Sequence, residues 1–324
     1  MAHNRGVVMS TLRDCLAQYI AARRALGASF YEPGLSLNRF VDRLDEAGAE
    51  FITNTLSLQW AMEPVQVERA TWGRRLSQVR GFAQWMKPID ARTEVPPANL
   101  LSARRRRNPP HIYTDDEIAR LMRRAAQLRS PTGLRALTME TLIGLLASTG
   151  LRPGEAIQLN RQDVDLSNGI LSVRESKLGK SRFVPVHEST LSALIRYAQA
   201  RDRICRQRLS EAFLLNEFGG RLTAGATRGL FVRISRATGI RATNAEGKAG
   251  FGPRLQDFRH AFATGRMLQW YREGRDVTRE LPRLSTYLGH VDVGLTYWYI
   301  EAVPQLLELA ATYLSHPIQP GEQP

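Results

Sequence analysis

From Leu12 to Leu26 apolar residues return every three or four positions, at Leu12, Leu16, Tyr19, Ile20 and Leu26, and Gly27 then breaks the pattern. That spacing predicts a helix with one buried stripe that stops at the glycine. The same periodicity predicts helices over Leu35 to Ala47, Ser57 to Ala61 and Trp72 to Met86. No alternating strand pattern competes with it, so the N-terminal third is expected to be all-helical. From Lys87 to Pro110 the pattern dissolves into Pro88, Pro96, Pro97, the run Arg104-Arg105-Arg106-Arg107, Pro109 and Pro110. Prolines and a block of like charge predict a linker, which places a domain boundary near residue 108. The expected units are then 1–108 and 109–324.

Past that boundary Thr114-Asp115-Asp116-Glu117 has the form of a capping box opening a helix through Leu128. A second helix, Leu134 to Ala147, is apolar over most of its surface and is expected to be buried. Gly150 follows as a stop, and Pro153 suits a first helical turn. Between Gly169 and His187 the period changes to two: Leu171 and Val173, then Val184 and Val186, flank the polar stretch Ser176 to Ser181. This predicts a β-hairpin. Helices are expected again from Ser189 onward, and the tail Pro317 to Pro324 is expected to be disordered. The fold class that results is mainly α with a small β-sheet.

Composition narrows the partners. The 324 residues carry a formal charge of +14 and a pI near 10.5, a field that favours a polyanion, nucleic acid first and an anionic membrane surface second. No apolar run reaches the ~18 residues of a spanning helix, and Met1 to Leu12 lacks a signal-peptide core, so a cytoplasmic protein is expected. Cys15 and Cys205 have no metal-ligand spacing and are expected to be buried thiols, with no zinc site or disulfide. Of 45 basic residues only four are lysines: Lys87, Lys177, Lys180 and Lys248. Arginine stays charged and grips phosphate in a fork, whereas lysine can give up a proton, so the places where lysine is kept carry information.

Four short motifs hold candidate chemistry, and each has a plainer alternative. Arg152, in Gly150-Leu151-Arg152-Pro153-Gly154-Glu155, sits at a helix N-terminus where an anion is favoured, or simply pairs with Glu155 or caps the preceding helix. Lys177 and Lys180, in the hairpin turn, suit proton donation or a solvated turn. Gln256 and Arg259, three apart in Leu255-Gln256-Asp257-Phe258-Arg259-His260, share a helix face and can reach one phosphate, or Arg259 pairs with Asp257. In Leu288-Gly289-His290, with Tyr299 nine positions on, the histidine and tyrosine suit a site or a core.

Taken in order, Arg, then Lys on a hairpin, then the xxxR helix with His260 after the arginine, then Leu-Gly-His, then Tyr, the set resembles the catalytic domain of the tyrosine recombinases, the phage-integrase family. The resemblance runs from about Asp115 to Ala311, and the N-terminal helices look like that family's core-binding domain. The run Thr296 to Pro304 looks like integrases of transposons and integrative elements. The resemblance implies an all-helical DNA-clamping domain followed by an α+β catalytic domain. It implies a site-specific recombinase that breaks and rejoins DNA through a 3′-phosphotyrosyl intermediate, for integration, excision or transposition of a mobile element.

In that scheme Tyr299 attacks, Arg152 and Arg259 hold the non-bridging oxygens, Lys177 protonates the leaving 5′ oxygen and His290 bonds the phosphate. No metal, ATP or other cofactor is needed, in keeping with the absence of a GxxxxGK[ST] motif. The run Arg104, Arg105, Arg106 and Arg107, with Lys180 and Arg182, is expected to contact double-stranded DNA. The implied assembly is a homo- or hetero-tetramer on paired sites, served by accessory recombinases or directionality factors. A helix Pro304 to Leu314 would dock on a neighbouring protomer. One position departs from the family: Gln256 stands where histidine, sometimes lysine, is usual. Glutamine cannot exchange protons near neutral pH, so help for Tyr299 would fall to His260, His290 or water. The alternatives are a catalytically weakened DNA-binding architectural or regulatory protein of the same fold and, lower, a type IB topoisomerase.

Overall fold

The computed structural model describes residues 11–28, 30–101, 109–176, 180–207, 209–242 and 252–289. The chain divides into two compact units, Met1–Asn108 and Pro109–Pro324.

The first unit begins at Thr11, whose hydroxyl accepts from the Asp14 N–H at 3.2 Å while the Asp14 carboxylate accepts from the Thr11 N–H at 3.2 Å. This reciprocal cap opens α1 (Leu12–Ala25), and Gly27, at φ +82°, closes it. Three further helices follow among the described residues: α2 (Tyr31–Glu46), α3 (Asn54–Met62) and α4 (Arg69–Met86). Each starts before the first residue of the apolar pattern, because first-turn residues such as Glu32, Thr55 and Arg69 are exposed and add nothing to the hydrophobic repeat. Leu16, Leu37, Phe40, Leu44, Trp60, Leu76 and Phe82 form the core. The Arg75 guanidinium stacks over the Trp60 ring at 3.8 Å and donates to the Trp60 carbonyl at 2.6 Å.

The expectation of a linker from Lys87 onward is corrected. Thr93 is fully buried, the Glu94 N–H donates to the Ile52 carbonyl at 2.8 Å, and Arg80 donates to the carbonyls of Pro96 and Pro97 at 2.7 and 2.6 Å. Val95 and Leu101 pack on the helical core. Proline fixes φ and has no N–H to place in a helix or sheet, and Arg80 binds the carbonyls of two of these prolines, so the segment is a strap of the first unit. Arg104 to Arg107 lie outside the described residues.

In the second unit Thr114 and Glu117 form the expected capping box of α5 (Asp115–Ala126). Helix α6 (Leu134–Thr149) is buried along most of its length. Its N-terminus is held by a side chain that sequence reading missed. Glu217 accepts from Ser130 Oγ at 2.6 Å, Thr132 Oγ1 at 2.7 Å, and the N–H groups of Thr132 and Arg135 at 2.9 and 3.3 Å. Burial alone would raise its carboxyl; the hydrogen bonds prevail and bring it down to about 2.

After α7 (Pro153–Gln158) and a single 3-10 turn (Arg161–Asp163) comes an antiparallel sheet, β1 (Val164–Asp165), β2 (Ile170–Ser176) and β3 (Lys180–Pro185), in the order β1-β2-β3. Leu171 pairs with Val184, and both face the core. The two-residue β1 is too short to show alternation, which is why only the hairpin was legible. Helices α8 (Glu188–Ile204), α9 (Ala224–Ala237), α10 (Asp257–Arg272) and α11 (Val277–Leu288) complete the described part. Between α8 and α9 an irregular stretch carries Phe213 and Leu214 into the core, and Tyr197 Oη ties it down by accepting from the Leu215 N–H at 3.0 Å. Cys15 is buried, whereas Cys205, ending α8, is only partly so, which corrects the expectation for the second thiol. The expected helix Pro304 to Leu314 and the tail lie outside the described residues.

Candidate active site

The site grows from two glycine turns. Gly150 closes α6 at φ +62°, and Gly289 closes α11 at φ +69°. Both are left-handed positions that glycine adopts at little cost. Leu151 and Arg152 then lead into α7, whose first residue is Pro153. The Arg152 N–H donates to Glu155 Oε2 at 2.9 Å, so the carboxylate caps the helix that Arg152 precedes.

The Arg152 guanidinium donates to Glu155 Oε1 at 2.7 Å and to the Gly289 carbonyl at 3.2 Å. The plainer reading of Arg152, a pair with Glu155, is therefore realised but incomplete. Arg182 on β3 binds the same carboxylate through two nitrogens, at 3.1 and 2.9 Å, and its Nε donates to the Tyr287 carbonyl at 2.8 Å. Glu155 is 8% exposed between them. Burial alone would push its carboxyl up; the bonds from Arg182 and Arg152 outweigh this and hold it below the usual carboxylate range. Two guanidinium groups on one carboxylate leave a net positive charge beside Gly289.

Arg259 reaches the same place from α10. Its side chain is 1% exposed and donates to the Gly150 carbonyl at 3.0 Å and the Leu288 carbonyl at 2.6 Å. Both acceptors end helices, where carbonyls lack intrahelical partners and the helix dipole favours a cation. Asp257, offered as a plain partner for Arg259, is instead gripped by Arg254 at 2.8 Å. The start of α10 is fixed by Tyr113, stacked on Phe258 at 4.2 Å, with its hydroxyl donating to the Arg254 carbonyl at 3.1 Å. Gln256 stands immediately before α10 and is half-buried. Burial pushes His260 down to about 4, against a smaller opposing pull from Asp257, so near neutral pH its imidazole is uncharged.

The structure thus brings Arg152, Arg182 and Arg259 together around the turn that precedes His290. Lys177, His290 and Tyr299 lie outside the described residues; β2 ends at Ser176 and β3 begins at Lys180. Sequence reasoning missed the bridging role of Glu155 and the inward direction of Arg182. The i,i+3 spacing of Arg152 and Glu155 was the available sign of the first. Among the described residues no three His, Cys, Asp or Glu side chains gather as metal ligands, and no helix is long and apolar enough to cross a membrane.

Gly150→Ala tests the geometry. A Cβ there would lie 2.6 Å from Phe262 Cδ1 and 3.1 Å from Leu288 Cδ2, on a backbone that disfavours L side chains. A loss of roughly 1–3 kcal/mol in urea unfolding is expected, because the turn whose carbonyl holds Arg259 must shift. An unchanged urea midpoint would show that the turn tolerates a side chain.

Comparison with known proteins decides the family. The sequence profile described as the phage integrase family matches residues 112–305. The chain belongs to the phage integrase family. Its relatives include "Putative integrase/recombinase y4rB" of Sinorhizobium fredii, 39% identical over 307 residues, covering 93% of this chain and 96% of that one. Tyrosine recombinase XerD of Oceanobacillus iheyensis is 26% identical over 249 residues, 76% of each chain. The integrase fold matches that of XerH site-specific recombinase bound to palindromic difH substrate in a post-cleavage complex, with a TM-score of 0.61, 20% identity and coverage of 93% of this chain and 84% of that one. As a phage integrase family member the chain is a tyrosine-type site-specific recombinase.

Proposed function

We propose that the cationic cluster around Gly289 is the strand-cleavage centre of this recombinase. The observation that carries the reading is the convergence of Arg152, from the turn that precedes α7, and Arg259, from α10, on the C-terminal end of α11, where Gly289 stands one residue before His290. Fixed guanidinium groups suit the charge that builds on the non-bridging oxygens when phosphorus becomes five-coordinate. The Tyr299 oxygen attacks phosphorus, the bond to the 5′ oxygen breaks, and Lys177 supplies that oxygen with its proton. The phosphotyrosyl bond keeps the energy of the broken linkage, so resealing requires only that a 5′ hydroxyl attack it in reverse. His290 hydrogen-bonds the phosphate, and Gln256 donates where it cannot exchange a proton.

Further assignments rest on the same reading. The partner is double-stranded DNA, bound in the cytoplasm, with Arg104 to Arg107, Lys180 and the first unit adding phosphate contacts. Two sites pair in a homo- or hetero-tetramer, aided by accessory recombinases or directionality factors, and the outcome is integration, excision or transposition of a mobile element. The DNA-bound XerH complex, which shares the fold, supports the partner.

A pool of nicked duplexes with randomised cores tests the function directly. Cleavage beside the nick releases a short fragment and traps the enzyme, so covalent adducts appear on a denaturing gel and their sites can be sequenced. Adducts are expected in the presence of EDTA. Tight binding without any adduct would favour the architectural alternative.

A further inference from the structure

Arg182 was expected among the DNA contacts, yet its side chain is only 11% exposed and turns inward from β3. All three guanidinium nitrogens have partners: two on Glu155, and Nε on the Tyr287 carbonyl. The group also lies flat against the next turn, since a Cβ on Gly289 would stand 2.8 Å from its Nη1 and 2.9 Å from its Cζ. One side chain therefore joins the return strand of the hairpin, the carboxylate that orients Arg152, and the chain that leads into His290.

We infer that Arg182 is a positioning residue for strand cleavage, which holds Glu155 so that Arg152 keeps its positive charge for the scissile phosphate, and which locks the Gly289 turn. The inference rests on the reading of Arg152 as a phosphate ligand. The charge argument is simple. A lone Glu155 at 2.7 Å would neutralise Arg152. Shared between two arginines, the carboxylate leaves the trio at +1, and Arg152 is the member open to solvent, 27% exposed against 11% for Arg182. Arginine is required for this because one planar fork spans both carboxylate oxygens while Nε reaches the Tyr287 carbonyl; the point charge of lysine cannot do both.

Single-turnover cleavage of a nicked duplex recovered from the selection above provides the test, with R182Q, R182K, E155Q and the double variant R182Q/E155Q. R182Q should cleave on the order of a hundred-fold slower, the scale of a misplaced catalytic group. Its binding should lose no more than the phosphate contact of the neutralised Arg152, and the double variant R182Q/E155Q should return the salt dependence of binding to the wild-type value. R182K should recover little of the rate. Adding E155Q to R182Q removes the carboxylate that now neutralises Arg152, so the double variant should cleave about ten-fold faster than R182Q. It also leaves no unpaired buried charge, so it remains folded and readable if R182Q alone is unstable.

A salt slope still reduced by about one unit in R182Q/E155Q would make Arg182 itself a phosphate contact and overturn the inference. So would wild-type cleavage by R182Q, or losses in the double variant that simply multiply. If the wild-type protein itself formed no adduct, the cleavage reading would fall, a result distinct from any of these.

Discussion

Tyr299→Phe abolishes the covalent protein–DNA adduct and leaves duplex binding unchanged: this is the largest effect expected of any single substitution. Phenylalanine keeps the ring and removes only the oxygen that would bond to phosphorus. Without a nucleophile the arginines and Lys177 have no displacement to assist, and such groups act as a unit. The described tyrosine nearest the cluster offers no substitute. Burial pushes the Tyr287 phenol up to about 12, and its ring is stacked on Phe262 at 5.7 Å. A denaturing gel with the nicked duplex reads the result, and a gel-shift titration confirms binding. An adduct formed by the Phe variant would move the nucleophile to another tyrosine, with Tyr297 the first to be replaced.

Loss of the leaving-group acid should be nearly as severe. Lys177→Ala is expected to slow cleavage by about a hundred to ten thousand-fold, the usual range for general acid catalysis. The assignment is chemical: lysine can deliver a proton where arginine in practice cannot. His260 is a weak competitor, because burial drives it down to about 4 and it has no proton to offer near neutral pH. Sulfur in place of the bridging 5′ oxygen departs as a thiolate without an acid. That substrate should restore most of the rate to Lys177→Ala and none to Arg152→Ala, whose defect lies in charge stabilisation. Rescue of Lys180→Ala instead would transfer the role to the second lysine. Rescue of neither would leave the hairpin as a grip on phosphate.

The linear chain was informative wherever a property repeats over short range. Helical periodicity marked α1 to α4, the Thr114 to Glu117 capping box marked α5, and the change to alternation marked the β2–β3 hairpin, because each depends on residues within a few positions of one another. The order of Arg152, Lys177, Arg259, His290 and Tyr299 was legible for a different reason: the resemblance rests on side-chain types in a fixed order, and of the five the described residues include Arg152 and Arg259, which the fold brings together. What tertiary structure alone decided was direction and partnership. The prolines after Met86 read as a linker until Arg80 was found binding their carbonyls. Glu217 looked like any acidic loop residue until it was seen capping α6 from more than eighty positions away. Arg182 has the composition of a DNA contact, and only the fold shows it turned onto Glu155 and Tyr287. Sequence reports which groups are available. Which of two arginines faces solvent, and which is buried against a carboxylate, depends on contacts between segments 27 and 105 residues apart, and no local pattern records that choice.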